Sequence, residues 1–186
     1  MAFVEVVRTY LELGSRDARA PVETPSPVCS LRLESPCSVA TERDLYARVG
    51  RPHHWRERDA WSDAEIARHL ARRDVSVWIL RDGEVAAGFF ELRAHDDGSI
   101  EIVLFGLLPG FHGRGLGRYM LSRAADEAWR MGATRVWLHT CTLDGPAALP
   151  NYLARGFVPF RTESYITAIP ADGVAPGTAD RSGPPS

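Results

Sequence analysis

Five glycines lie within residues 106–117, in the middle of the chain. Residues 99–107 before them predict a strand, and apolar residues at helical spacing over 116–131 predict a helix that Gly132 ends. The glycines therefore form a turn from a strand into a helix. The first N–H groups of such a helix have no partner within it, and the helix dipole adds partial positive charge, so the turn is a candidate anion site. The alternative is a tight turn that binds no ligand.

The glycine spacing and the absence of lysine narrow the class of anion. Gly113, Gly115 and Gly117 do not give the Gly-x-Gly-x-x-Gly spacing of dinucleotide sites, and antiparallel hairpins rather than a βαβ unit precede them. All 22 basic residues are arginine, which excludes the lysine of a Walker loop and any lysine Schiff base. Arg114 and Arg118 are placed to add charge-assisted contacts to a phosphate. The functional interpretation is a diphosphate held largely by backbone N–H groups, and a turn that binds no ligand stays open beside it.

Hydrophobic patterning predicts an antiparallel meander ahead of the glycines. Asp82-Gly83 is a strong hairpin turn between the apolar runs at 75–80 and 84–94. Ser62-Asp63-Ala64-Glu65 is a capping box that begins a helix. The predicted strands are 3–13, 30–34, 75–80, 84–94, 99–107, 134–140 and 157–167, and the predicted helices are 41–49, 62–73, 117–131 and 151–155.

Length and composition predict one domain with additions at its ends. A chain of 186 residues suits a single hydrophobic core. We expect residues 1–37 to supply one or two strands and a loop packed on the domain, and 38–168 to form the domain itself. Residues 169–186, rich in Pro, Gly and Ser, are expected to be a disordered tail. The extra strand at 3–13 could pair with a second copy, which would give a homodimer.

Charge and cysteine content exclude several classes of partner. A net charge of −2 argues against a nucleic-acid binder or a protein of anionic membrane surfaces, because both need a basic surplus. The three cysteines, Cys29, Cys37 and Cys141, have no Cys-x-x-Cys spacing, and the histidines do not cluster at metal-ligand spacing. We therefore expect no metal site and a reduced, cytoplasmic protein.

Two motifs resemble those of the GNAT acetyltransferase superfamily. Its signature, Gln/Arg-x-x-Gly-x-Gly/Ala at a strand-to-helix turn, is matched by 112–117 (His-Gly-Arg-Gly-Leu-Gly), with His112 in the place of Gln or Arg. A tyrosine four residues before Gly-Phe is matched by Tyr152-Leu-Ala-Arg-Gly156-Phe157. The element order agrees as well over about residues 40–167, and the chain is similar to a bacterial subgroup. The resemblance implies an α+β fold: a mixed, mostly antiparallel twisted sheet flanked by helices, with splayed central strands.

The resemblance also implies a reaction and a co-substrate. Such proteins transfer acetyl from acetyl-CoA to an amine of a small molecule or peptide, directly within a ternary complex and without a metal. The alternative is a non-catalytic acyl-CoA-binding or protein-interaction module of the same fold. By resemblance, the residues that bind acetyl-CoA are Phe105, Gly106, Leu107, His112, Gly113, Arg114, Gly115, Leu116, Gly117, Arg118 and Asp144.

Two residues are catalytic candidates by the same resemblance. Glu101, on the strand before the glycines, would take the proton of the acceptor ammonium; the alternative is a solvent-facing carboxylate. Tyr152 would donate a proton to the leaving thiolate; the alternative is a ring packed on the cofactor or core. Cys141 could carry an acyl group if His139, two residues away on the same strand face, activated it, but a small buried core residue is the commoner role of cysteine.

Overall fold

The computed structural model describes residues 1–16, 22–25 and 28–170, which form one seven-stranded sheet with helices on both faces. The tail predicted at 169–186 lies outside the described residues from 171 onward, as do 17–21 and 26–27 of the N-terminal segment. The elements, in chain order, are β1 (Ala2–Leu13), β2 (Cys29–Glu34), α1 (Val39–Gly50), a 3-10 turn (Arg51–His53), α2 (Asp63–Leu70), β3 (Val75–Asp82), β4 (Val85–Ala94), β5 (Ser99–Leu107), α3 (Leu116–Arg130), β6 (Arg135–Cys141), α4 (Ala148–Ala154) and β7 (Val158–Ile169).

The sheet is mixed, as expected, and its central strands diverge. Its order is β2-β3-β4-β5-β6-β1-β7, and every neighbouring pair is antiparallel except β5 and β6. The parallel pairing of β5 with β6 ends at Ile102 opposite Leu138. Val103 is an extra residue in β5, since Leu104 lies opposite Glu91 and Ile102 opposite Leu92, and such a bulge bends its strand. The predicted splay is therefore confirmed, and a gap opens between β5 and β6.

The N-terminal strand β1 is an internal strand of the sheet. It pairs with β6 from Arg8 to Leu13 and with β7 along nearly its whole length, antiparallel on both sides. Residues 1–37 were expected to pack on the domain, whereas β1 and β2 are strands of its one sheet. Because both edges of β1 are occupied within the chain, this strand is not available to pair with a second copy.

The two faces of the sheet carry separate apolar clusters. On one face α3 buries the predicted stripe Leu116, Met120, Leu121, Ala124 and Ala128. Met131, predicted on the same stripe, is 42% exposed because it follows the last residue of the helix. On the other face α1 packs on β3, β4 and β5.

The helix α4 begins at Ala148, three residues earlier than the predicted start at 151. Pro150 was expected to belong to the preceding loop. It lies in the first turn of the helix, where a proline is tolerated because the missing N–H would have no partner there. The capping box at Ser62 and Glu65 forms as predicted at the start of α2.

Candidate active site

A cavity of about 1160 Å³ passes through the gap between β5 and β6. Its wall on one side comes from the glycine turn, α3 and α4, and on the other from α1 and residues 53–58. β1 and β7 close its far end through Arg8, Tyr165 and Thr167. A molecule could therefore extend through the sheet from one face to the other.

The glycine turn leaves the first turn of α3 without a side-chain cap. Gly115 is the N-cap, with φ +75°, and Gly113 has φ +74°, a region that residues with a Cβ enter only with strain. Asn151 donates from Nδ2 to the carbonyl oxygen of Gly117, at 3.4 Å, which ties α4 to this turn. The first N–H groups of this 15-residue helix have no partner within it, and its dipole adds partial positive charge, so this mouth of the cavity has the features expected of an anion site.

The predicted side chains of the turn divide into two groups. His112, Gly113, Gly117 and Arg118 line the cavity. The other three do not. Leu116 is buried in the core, Gly115 has no side chain to offer, and the guanidinium of Arg114 forms an ion pair with Asp82 at 2.6 Å and lies over the ring of Phe111. The imidazole of His112 donates from Nε2 to the carbonyl oxygen of Leu107, at 3.2 Å, because a carbonyl can only accept.

The end of β5 offers backbone rather than side chains to the cavity. Phe105, Gly106 and Leu107 pair with β4 along one edge, while the other edge faces the gap beyond the last β6 pair. A Cβ on Gly106 would overlap Cγ1 of Val49, so α1 is what requires a glycine here. A glycine inside a strand often marks a bulge or the close approach of another backbone, whereas Gly106 makes room for a side chain.

Glu101 does not line the cavity itself, but the next residue in the sequence does. Its carboxylate accepts a hydrogen bond from Nε2 of His95 at 3.0 Å, and its side chain is only 11% exposed. It is therefore not the solvent-facing residue considered as the alternative. Its other oxygen is 3.9 Å from Nδ1 of His139, and that imidazole lines the cavity.

His139 is a functional candidate that the sequence suggested only as a partner for Cys141. Burial lowers its pKa first of all, the positive charge of Arg8 lowers it further, and the negative charge of Glu101 opposes both. The ring packs against Tyr10 with 5.7 Å between centroids. The alternation of β6 could have indicated it, since residues 139 and 141 share one face of the strand and both line the cavity.

Tyr152 lies in the cavity wall on the opposite side of the sheet. Its ring meets Phe105 and Phe157 edge-on, at 6.1 and 6.3 Å between centroids. Burial raises the pKa of its hydroxyl, and the negative charge of Asp144 adds to that. Among the described residues this hydroxyl has no hydrogen-bond partner, so the proton that it carries is available to a ligand.

Asp144 and Cys141 stand together where β6 ends. The carboxylate of Asp144 accepts hydrogen bonds from Oγ1 of Thr140 at 2.6 Å and from the backbone N–H of Cys141 at 2.9 Å. Asp144 lines the cavity, but these contacts use it to close the turn. Burial and then Asp144 raise the pKa of the Cys141 thiol, so it stays protonated, which disfavours a nucleophilic role.

Residues 53–58, which form part of the cavity wall, are anchored by a buried charge cluster. A run of charged residues such as Arg56-Glu57-Arg58 usually lies on a solvated surface, but Arg58 is buried. Its guanidinium, 6% exposed, bonds Glu42 at 2.6 Å and both oxygens of Glu91 at 2.7 and 2.8 Å. A cation this deep is stable only because carboxylates meet it on both sides.

The structure adds two findings on metals and membranes. Within residues 1–16, 22–25 and 28–170, no three His, Cys, Asp or Glu side chains are arranged to hold a metal ion. No helix in those same ranges has the length and hydrophobicity that crossing a membrane requires.

The comparison with known families decides the classification. The model of the acetyltransferase (GNAT) family matches residues 40–157, from α1 to the end of the Gly-Phe motif. The chain belongs to the GNAT acetyltransferase family. In this GNAT domain the matched region contains β3 to β6, the glycine turn and α4, and so most of the cavity wall.

Relatives and solved structures agree with this family. The chain is 30% identical to a mycothiol acetyltransferase of Corynebacterium efficiens over 108 residues, which are 56% of this chain and 36% of the relative. A GCN5-related N-acetyltransferase from Kribbella flavida superposes with a TM-score of 0.63 at 19% identity, over 88% of this chain and 58% of that one. Another from Sphaerobacter thermophilus gives 0.64 at 15% identity, over 87% and 50%. At such identities the structures show a shared fold, and the GNAT domain spans about a third to three fifths of these proteins.

Proposed function

We propose that the protein transfers acetyl from acetyl-CoA to an amine, directly within a ternary complex. The observation that carries this proposal is the cavity between β5 and β6, with the uncapped start of α3 at one mouth and charged acceptor-side residues at the other. A cavity open on both faces lets donor and acceptor meet inside the sheet. The same proposal places the protein in the cytoplasm, where its three free cysteines would stay reduced.

The described residues fit two parts of acetyl-CoA, its diphosphate and its amide groups. The N–H groups at the start of α3 and the Arg118 guanidinium would bind its diphosphate, and the free edge of β5 would bind its amide groups. Acetyl-CoA supplies an acetyl group activated as a thioester. The carboxylate of Asp144 is already hydrogen-bonded to Thr140 and Cys141. Asp144 would therefore contact acetyl-CoA only where it is exposed to the cavity.

The base in this proposal is His139, supported by Glu101. An amine reaches the site as an ammonium and must lose a proton before it can attack. His139 lines the cavity and has a lowered pKa, so its imidazole is neutral and can take that proton. Glu101, 3.9 Å away, would stabilise the resulting imidazolium, and His95 holds the carboxylate in place.

The proton donor in this proposal is Tyr152. Its raised pKa keeps the hydroxyl protonated, and the hydroxyl has no partner among the described residues that would compete for it. Replacing Tyr152 by Phe removes one oxygen and preserves the ring contacts with Phe105 and Phe157. Tyr119→Phe is the matched control, because Tyr119 is equally buried on α3 but does not line the cavity.

The experiment measures binding and turnover separately. Acetyl-CoA is titrated into the protein by calorimetry, and acetyl transfer to a panel of amines is followed by mass spectrometry. We expect micromolar binding, and Tyr152→Phe should lower kcat about 100-fold, by the usual contribution of acid catalysis, while Tyr119→Phe leaves it unchanged. Binding with no transfer to any amine would favour the non-catalytic module, and no binding to folded protein would refute both functions.

A further inference from the structure

We propose that the acceptor carries a carboxylate beside its reacting amine, and that Arg8 and Tyr165 bind this carboxylate. The inference rests on the proposed acetyl transfer and names the class of acceptor: an amino acid or a similar compound with both groups. Arg8 lies on β1 and Tyr165 on β7, and both line the cavity. Neither strand segment belongs to the region that the family model matches.

The guanidinium of Arg8 is only partly satisfied within the protein. Its Nη2 donates to the hydroxyl of Tyr165 at 3.2 Å, whereas its Nε is buried without a hydrogen-bond partner. Its Nη1 forms a long ion pair with Oε1 of Glu163, at 3.7 Å, and the guanidinium lies over the Tyr165 ring, 5.0 Å from its centroid. That carboxylate is already engaged by the hydroxyl of Tyr10 at 2.6 Å and by Arg161 at 2.7 Å. Arg8 therefore keeps hydrogen-bonding capacity beyond its contacts with Tyr165 and Glu163, and an anion in the cavity would use it.

The position of Arg8 suits an anion close to the reacting amine. Arg8 lies opposite Cys141, and Tyr10 lies opposite His139, so Arg8 and His139 are diagonal neighbours on one face of the sheet. Diagonal neighbours in antiparallel strands are about 7–8 Å apart at Cα, and their side chains reach toward the same ligand. A carboxylate at Arg8 would place an amine a few bonds away beside His139.

The opposite wall of the cavity carries the complementary charge. Glu57 lies in the covering segment, and its Oε2 accepts hydrogen bonds from the Tyr46 hydroxyl and the Arg56 N–H, each at 3.2 Å. The neighbouring cation Arg58 is already neutralised by two carboxylates, as described above. The acceptor end thus has Arg8 on the sheet and both Glu57 and Arg56 on the facing wall, so each end of a zwitterion finds a group of opposite charge.

The test uses matched acceptors that differ only at the carboxylate. Each α-amino acid of a panel is compared with its amide and its decarboxylated amine, with acetyl-CoA as donor and acetylated product measured by mass spectrometry. We expect kcat/KM to favour the acid by about 10- to 100-fold, since hydrogen bonds between charged groups have this strength. Arg8→Gln should abolish the preference for the acid. Arg161→Gln should keep it, because Arg161 lies on the neighbouring strand β7 but does not line the cavity.

Each outcome separates this inference from the proposed function. Transfer to amines with no preference for the acid, or a preference that survives in Arg8→Gln, would overturn the inference and leave acetyl transfer intact. No transfer to any amine would overturn both. Should Arg8→Gln fail to fold, Tyr165→Phe removes only the hydroxyl that Arg8 contacts, and it should reduce the preference several-fold.

Discussion

Glu101→Gln is the sharpest perturbation of the proposed base. It removes a negative charge 3.9 Å from Nδ1 of His139 but keeps an oxygen that can accept the hydrogen bond from His95. The carboxylate opposes the lowering of the His139 pKa, so without it this pKa falls further. In the variant, the imidazole of His139 should therefore stay neutral down to a lower pH than in the wild type. The same imidazole should be a weaker base, because its pKa is lower.

The size of the effect follows from the separation of the charges. At 3.9 Å, Coulomb's law gives about 1 kcal/mol in a water-like medium and about 4 kcal/mol at an effective dielectric constant of 20. The His139 and Glu101 side chains are 30% and 11% exposed, so the attraction lies between these two values. Its loss should move the acid limb of the pH–rate profile to lower pH, in the direction that the charge of Glu101 opposes in the wild type.

The assay is the pH dependence of kcat/KM for acetyl transfer to the best amine of the panel. Wild type should lose activity as the pH falls and His139 takes a proton, and Glu101→Gln should show the same limb at lower pH with a lower plateau. His139→Gln should lack the limb altogether. A limb that disappears in Glu101→Gln and persists in His139→Gln would refute this reasoning and assign the base to Glu101 itself.

Two further predictions concern the frame around the site. Arg58→Met should lower the free energy of unfolding in urea by about 3–5 kcal/mol, because it leaves buried Glu42 without a cation and buried Glu91 with only its contact to His69; a loss below about 1 kcal/mol would contradict the buried cluster. Gly106→Ala should cost about 1–3 kcal/mol, because the new Cβ overlaps a side chain of α1. The double variant with Val49→Ala should lose less free energy of unfolding than the sum of the two single variants. Additive losses would show that the new Cβ and the Val49 side chain do not clash.

Most of the fold could be predicted because it depends on local patterns. Alternation and the Asp82-Gly83 turn predict the meander, and the helical stripe over 116–131 predicts α3, and all of them are present in the structure. The position of β1 could not be predicted in this way. An alternating run predicts that a strand exists but does not tell which strands pair with it. Both strands that pair with β1 lie more than a hundred residues away in the sequence.

The residues of the candidate site likewise fall into those that local sequence motifs predict and those that only the folded structure brings together. The glycine turn and Tyr152 sit in short motifs, and the structure places both on the cavity. His139, Arg8 and the burial of Arg58 depend on side chains that meet only in the folded sheet. The local sequence shows that a residue is charged. Its partner and its exposure depend on how distant parts of the chain pack together.

The internal position of β1 also dictates the order in which the site can assemble. The hydrogen bond between Arg8 and Tyr165 joins residues 157 positions apart. A ribosome releases Arg8 long before the strand that must flank it, and contacts this distant in sequence slow folding because a long loop must close first. On a nascent chain the anion site could exist early, at the glycine turn, whereas the wall that would select the acceptor is completed only when β7 arrives.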